Sequence, residues 1–169
     1  FHASGRKVKI LCEGAQGFGL DIDHGDYPYV TSSHCTSAGA LLNAIPPSWI
    51  RDVWGVAKPY ETYSGYKDFE PKEKIFQKIR DAGEEYGATT GRPRQCNWMD
   101  FNLIERASRI NGVNKLVFNK VDILEEVKVW KLINNDEAVE FSSGREMEKW
   151  LQSKLGDIEV YFSGNPHTL

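Results

Sequence analysis

From Pro71 to its C-terminus the sequence alternates capped amphipathic segments with short apolar runs, and this alternation most narrows the folds open to it. Pro71 at a helix start leads into KEKIFQKIRDAGEEYG, where Ile75, Phe76, Ile79, Ala82 and Tyr86 make one apolar face around an internal Gly83. Asp100 is a good N-cap for a helix through Leu103, Ile104, Ala107 and Ile110, which Asn111-Gly112 closes. Residues 115–118, KLVF, read as a strand, as do 127–133 and 158–162. Ser143-x-x-Glu146 is a capping box for a helix carrying Met147, Trp150, Leu151 and Leu155, ended by Gly156. Helices with one apolar face between such strands predict an α/β fold, a mostly parallel sheet flanked by helices, with 1–169 as a single unit.

The first half is less regular. Residues 8–12, VKILC, form a β-prone run that delivers the next stretch at its C-terminal end. Pro46-Pro47-Ser48 caps a segment in which Trp49, Ile50, Val53, Trp54 and Ala57 recur at helical spacing. The two tryptophans on that stripe read as core, or as a stacking platform for a base.

Three stretches carry chemistry. In residues 13–39, EGAQGFGLDIDHGDYPYVTSSHCTSAG, four glycines (Gly14, Gly17, Gly19, Gly25) allow close approach to a ligand, while Gln16, Thr31, Ser32, Ser33 and Thr36 offer hydrogen bonds without bulk. This suits a polar, phosphate-bearing small molecule, or equally a surface loop rich in turn residues. Asp21, Asp23, His24 and Asp26 are possible metal ligands, but alternate residues of a strand face opposite ways, so a solvated turn before Tyr27-Pro28-Tyr29 is expected, with no metal held. Residues 87–94, GATTGRPR, combine two hydroxyls, two glycines and two guanidinium forks, as an anion-recognition loop or a basic surface turn paired with Glu84 and Glu85. Asn119-Lys120-Val121-Asp122 ends a strand: the Asp carboxylate there can accept both N1–H and the 2-amino group of guanine while the Lys stem covers the ring. An ordinary charged turn is the alternative.

A net charge of −3 from 21 basic and 24 acidic residues argues against a general nucleic-acid or membrane-surface binder, so charged ligands must be met by local clusters. Cys12, Cys35 and Cys96 are odd in number and have no CxxC spacing, which predicts a reducing, cytoplasmic setting. No apolar run approaches the roughly 20 residues that span a bilayer, and FHASGRKVK lacks a signal-peptide centre. Beginning at Phe1 without methionine, the chain reads as excised or processed.

Together, EGAQG…LDIDHG-YPYVTSS, GATTGRPR with WMD following, and N-G-V…NKVDIL…EVKV resemble the C-terminal part of adenylosuccinate synthetase, collinearly from about Val8 to Pro166. The resemblance implies part of a larger P-loop-like nucleotide-binding ligase fold. It also implies GTP-dependent joining of L-aspartate to a 6-oxopurine nucleotide, IMP to adenylosuccinate, through a 6-phosphoryl intermediate. Carried over by motif, Gln16, Thr31, Ser64 and Arg92 would contact the purine nucleotide, and Thr89, Thr90, Arg92 and Arg94 the aspartate. Arg94, Lys120, Asp122, Ser163 and Asn165 would contact GTP. Family members are typically homodimers.

The departures carry equal weight. The glycine-rich phosphate loop, the general base, the catalytic histidine and the Mg2+ ligands of the family are expected in a missing N-terminal segment, so this chain alone should catalyse nothing. The family's TRVG turn reads Thr62-Tyr63-Ser64-Gly65, its STGPDR reads Ser163-Gly164-Asn165-Pro166-His167-Thr168, and its SSNTT pattern has become Ser33-His34-Cys35-Thr36. Alternatives are therefore a phage-type ligase that joins aspartate to dGMP for 2-aminoadenine DNA, with ATP as a possible donor, and a non-catalytic nucleotide-binding module.

Overall fold

The structure, a computed structural model, describes residues 9–165 and 167. Val8 of the expected first strand and Pro166 of the terminal turn lie outside the described residues. The chain divides into two compact units, Phe1–Ile50 and Arg51–Leu169.

In the first unit, residues 9–12 are not a strand, and Leu11 is 90% exposed. An apolar run becomes a strand only with a partner for its backbone, and among the described residues none pairs with it. The ordered elements are a 3-10 turn at Phe18–Leu20, the short helix α1 at Ala38–Leu42 and a second 3-10 turn at Pro47–Trp49. The loop between the first turn and α1 is held by backbone pairs: Thr31 N donates to Leu20 O at 2.8 Å and Ile22 N to Ser33 O at 3.2 Å. Gly25 is obligatory there, since a Cβ would sit 2.6 Å from Asp21 O and 2.7 Å from Gly19 O.

The second unit begins with β1 (Trp54–Ala57) and β2 (Tyr60–Tyr63). The helix expected over Trp49–Ala57 is absent: Gly55 and Val56 pair with Leu116 and Val117 instead. Its tryptophans are not core, Trp49 being 52% and Trp54 45% exposed. Then follow α2 (Ile75–Ala82), β3 (Gln95–Asp100), α3 (Phe101–Asn111), β4 (Lys115–Asn119), α4 (Val121–Val127), β5 (Trp130–Asn134), β6 (Glu137–Phe141), α5 (Gly144–Lys154) and β7 (Glu159–Ser163).

Two sheets result. One, in the order β1-β4-β7, is wholly parallel, as expected. The other, β2-β3-β5-β6, is mixed: β3 and β5 run parallel, with an antiparallel strand on each side. Most caps fall where the sequence puts them. Asp100 accepts from Asn102 N at 2.9 Å and Gly112 is left-handed, so α3 is closed at both ends. Ser143 accepts from Glu146 N at 3.3 Å, while the Glu146 carboxylate reaches back to Ser142 N at 2.8 Å. Gly83 proves to be the C-cap of α2 rather than an interior residue, and Tyr86 lies beyond the helix. Phe76, Ile79, Met99, Phe118, Leu124, Leu132 and Leu151 form the centre of the core, each burial contributing roughly 1.5–3 kcal/mol.

Candidate functional site

Because β1, β4 and β7 run parallel, their C-terminal ends share one edge, the end where ligands sit in open sheets of this kind. Ala57 lies opposite Phe118 and Asn119 opposite Ser163, so Lys58, Lys120 and the turn after Ser163 emerge side by side. Lys120 caps α4 in the left-handed region at φ 58°, a conformation that costs a residue with a side chain about 1–2 kcal/mol. Its ammonium offsets that cost by donating to Gly83 O at 2.6 Å and to Glu85 Oε1 at 3.1 Å. Asp122, in the first turn of α4, is exposed. Gly164 lies against it, since a Cβ on Gly164 would be 3.3 Å from Asp122 Cβ. Ser163 Oγ donates to Asn165 O at 2.7 Å. The structure thus brings Lys120, Asp122, Ser163 and Asn165 together, and beside them Asn119 Oδ1 is buried with no partner among the described residues.

Residues 87–94 form a hairpin tip. Tyr86 bridges Pro93, Gly87 N donates to Arg92 O at 2.8 Å and Gly91 N to Gly87 O at 2.7 Å, with Gly91 left-handed at φ 64°. Thr89, Thr90 and Arg92 are exposed on it, Thr90 Oγ1 accepting from Arg92 N at 3.4 Å. The Arg92 guanidinium stacks 4.2 Å from the Tyr66 ring centroid, and Ser64 is exposed in the turn after β2. Arg94 turns inward instead, its Nη1 on Glu85 Oε2 at 3.0 Å and its Nε buried without a partner among the described residues.

Glu85, which the sequence offers only as a surface partner for the arginines, is 1% exposed. Its Oε1 accepts from Lys58 Nζ at 2.9 Å, Tyr60 OH at 2.8 Å and Lys120 Nζ at 3.1 Å, while Oε2 takes Arg94. Burial pushes this carboxyl up, but the bonds and charge of Lys58, with those of Tyr60 and Lys120, outweigh it and hold the group at about 2. Burial in turn pulls the Lys58 ammonium down against the pull of Glu85, and burial together with Glu85 pushes the Tyr60 phenol up. Three cations face one carboxylate, which leaves a surplus of positive charge suited to an anionic ligand. Sequence reasoning missed Lys58, Tyr60 and Glu85. The available signal was a glutamate placed directly before a loop holding two arginines.

In the first unit, Gln16 adopts φ 60° and is exposed, its Oε1 accepting from Ser33 Oγ at 3.4 Å, while Thr31 is half-buried. The solvated-turn reading holds for the exposed Asp23 and Asp26 but not for Asp21, which is fully buried, with Oδ1 accepting from Asp23 N at 2.9 Å and His24 N at 3.0 Å, and Oδ2 from Cys35 N at 2.6 Å. Burial pushes it up, but those backbone bonds prevail and hold it below the ordinary carboxylate value. Asp21, Asp23 and His34 have ligand atoms within 4.8 Å of one another. They do not fit a magnesium site, because Asp21 spends its oxygens on three backbone N–H groups and His34 Nδ1 sits on Asp23 at 3.1 Å, whereas Mg2+ takes an octahedron of oxygens. No helix among the described residues is long and apolar enough to cross a membrane.

Compared with known proteins, residues 2–154 match the family model for adenylosuccinate synthetase. The adenylosuccinate synthetases of Halothermothrix orenii and Stenotrophomonas maltophilia are each 50% identical over 127 residues, covering 72% and 73% of this chain. The chain spans about 30% of the length of these curated relatives. Among solved structures, the fully ligated adenylosuccinate synthetase of Plasmodium falciparum aligns at TM-score 0.68 and 35% identity, covering 78% of this chain and 33% of that one. Succinoaminodeoxyadenylate synthetase of cyanophage S-2L, bound to dGMP and to dATP as an energy donor, aligns at TM-score 0.61 and 20% identity, covering 90% and 43%. The second is a likeness of fold alone.

Proposed function

The chain belongs to the adenylosuccinate synthetase family, and on that premise we propose that it is the C-terminal part of a purine-biosynthetic ligase that joins L-aspartate to a 6-oxopurine nucleotide, driven by GTP. The observation that carries this is the single sheet edge holding Lys120, Asp122, Ser163 and Asn165, tied through Glu85 to Arg94 of the hairpin. The Asp122 carboxylate accepts N1–H and the 2-amino group of guanine, Ser163 and the Asn165 backbone flank the base, and the tethered Lys120 stem covers its face. Thr89, Thr90 and Arg92 hold the aspartate carboxylates, with Arg94 between the aspartate and GTP, so guanidinium forks neutralise the charges that would repel the phosphates. Gln16, Thr31, Ser64 and Arg92 contact the acceptor nucleotide, IMP in this reading.

The phosphoryl group passes from GTP to the 6-oxygen, and the aspartate amine then displaces it. The phosphate cradle, the base, the catalytic histidine and the Mg2+ ligands belong to a segment outside this sequence, so these residues position substrates and the chain alone is inactive. The complete enzyme is a cytoplasmic homodimer, as is typical of the family.

The test is coexpression with the remaining segment of a relative, followed by assay for a succinyl-purine product that depends on both aspartate and GTP. Product formed by the pair and lost with Asp122→Asn supports the reading; no product under any pairing leaves a non-catalytic nucleotide-binding module. A second reading, dGMP as acceptor with ATP as a possible donor, is favoured by Tyr63, which stands where the family has an arginine and whose ring packs against Gly65. Competition of IMP against dGMP on the paired enzyme decides between them.

A further inference from the structure

The two oxygens of Glu85 serve two different loops. Oε1 holds Lys120 of the guanine-reading turn, and Oε2 holds Arg94 of the anion-binding hairpin. The Glu85 backbone reinforces the second link, its carbonyl accepting from Arg94 N at 2.9 Å. Gly83 O, two residues upstream, reinforces the first. The carboxylate is 1% exposed, yet the Lys120 and Arg94 side chains keep 39% and 37% of their surface in solvent. Each cation therefore has one end fixed on a buried anion and a flank left for a ligand. Lys58 and Tyr60, on Oε1, fix the carboxylate from below and do not belong to either loop.

We propose that Glu85 is a positioning residue that locks the guanine-reading loop to the anion-binding hairpin, so that a guanine nucleotide and a dicarboxylate bind interdependently. The inference rests on the ligand assignments proposed above. A ligand that orders Lys120 also orders the carboxylate, and with it the side chain of Arg94. The second ligand then meets a loop whose freedom has already been reduced, which is positive coupling without any change of fold.

The test uses the isotope-labelled chain paired with the remaining segment of a relative, as in the coexpression above, with GTP and L-aspartate as probes and backbone amide NMR shifts of residues 87–94 and 119–122 as readout. In the wild type, saturating GTP should tighten aspartate about five-fold, and saturating aspartate should tighten GTP by the same factor. In Glu85→Gln, which keeps the shape but loses the charge and presents an amide to one of the two loops, that factor should fall to about one while each ligand still shifts its own loop. Leu132→Ala, a core truncation at a residue that makes no bond to the carboxylate, should lower the melting temperature and leave the factor intact. A merely structural Glu85 would behave like Leu132. Should Glu85→Gln not fold, Glu85→Asp, one methylene too short to serve both loops, gives the same reading. Coupling that survives in the folded variant overturns the proposal, as does a wild type that binds both ligands independently. A wild type that binds neither overturns the ligand assignments and this inference together.

Discussion

Replacing Glu85 by glutamine should destabilise the second unit by about 3 kcal/mol at neutral pH, with the loss shrinking steadily in acid. A carboxyl held at about 2 against an ordinary 4.5 is bound more tightly by its partners when charged, by about 3 kcal/mol at roughly 1.4 kcal/mol per pH unit. The lowered value sets the sign: the stabilisation is complete above about pH 4.5 and is lost as pH falls toward 2. The figure is near the low end of the roughly 3–5 kcal/mol lost when one partner of a buried pair is removed. Urea unfolding of both proteins, followed by tryptophan fluorescence, measures the gap. It should be about 3 kcal/mol near pH 7, about 1 kcal/mol near pH 3 and close to zero near pH 2. A gap below about 1 kcal/mol at neutral pH, or one of equal size at both ends of the range, would refute the electrostatic account.

Glu61 runs the other way. Burial pushes its carboxyl up to about 7, with Asp100 adding repulsion against the bond from Asp100 N, so the protein should lose stability as pH rises from about 4.5 to 7. Glu61→Gln keeps an acceptor for Asp100 N and should be the more stable protein at pH 8, by about 2 kcal/mol after discounting partial exposure, as urea midpoints would record. Gly25→Ala should destabilise the first unit by more than about 2 kcal/mol, because the new Cβ meets two carbonyl oxygens inside 2.8 Å; unchanged amide-exchange protection of Thr31 and Asp26 would contradict this. Phe118→Ala removes a fully buried ring stacked 5.5 Å from Phe162, so melting should reveal a loss of about 3–5 kcal/mol. Lys120→Gly should trade two effects, relieving about 1 kcal/mol of left-handed strain while losing the bonds to Gly83 and Glu85. Net destabilisation, read by the same melt, is the expected result.

What the sequence discloses is what is decided locally. The caps of α3 and α5 are side-chain to backbone bonds two or three residues apart, and they sit where the residue types put them. Residues 115–118 read as a strand and form β4, but the helix α4 that begins directly after Lys120 was not legible. Failures occur where a distant partner decides. Trp49, Ile50, Val53, Trp54 and Ala57 keep helical spacing, yet the register with residues 115–118 makes the last of them a strand, and Gly55 packs so close that a Cβ would be 2.8 Å from Leu116 Cδ1. A glycine in that run was the sign of close strand packing that periodicity hid. Similarly, Val127 ends α4 and Lys128 turns left-handed, so the strand expected from 127 begins only at Trp130. The same division holds for the site. The loops proposed to read guanine and to bind anions stand out by composition, but what joins them does not. Glu85 meets cations 27, 9 and 35 residues away along the chain, and a glutamate among polar neighbours looks solvated unless those cations are already known to converge on it. Buried charge is tolerable only when its partners are in place, so a group of this kind is specified by the finished fold and by no single stretch of sequence.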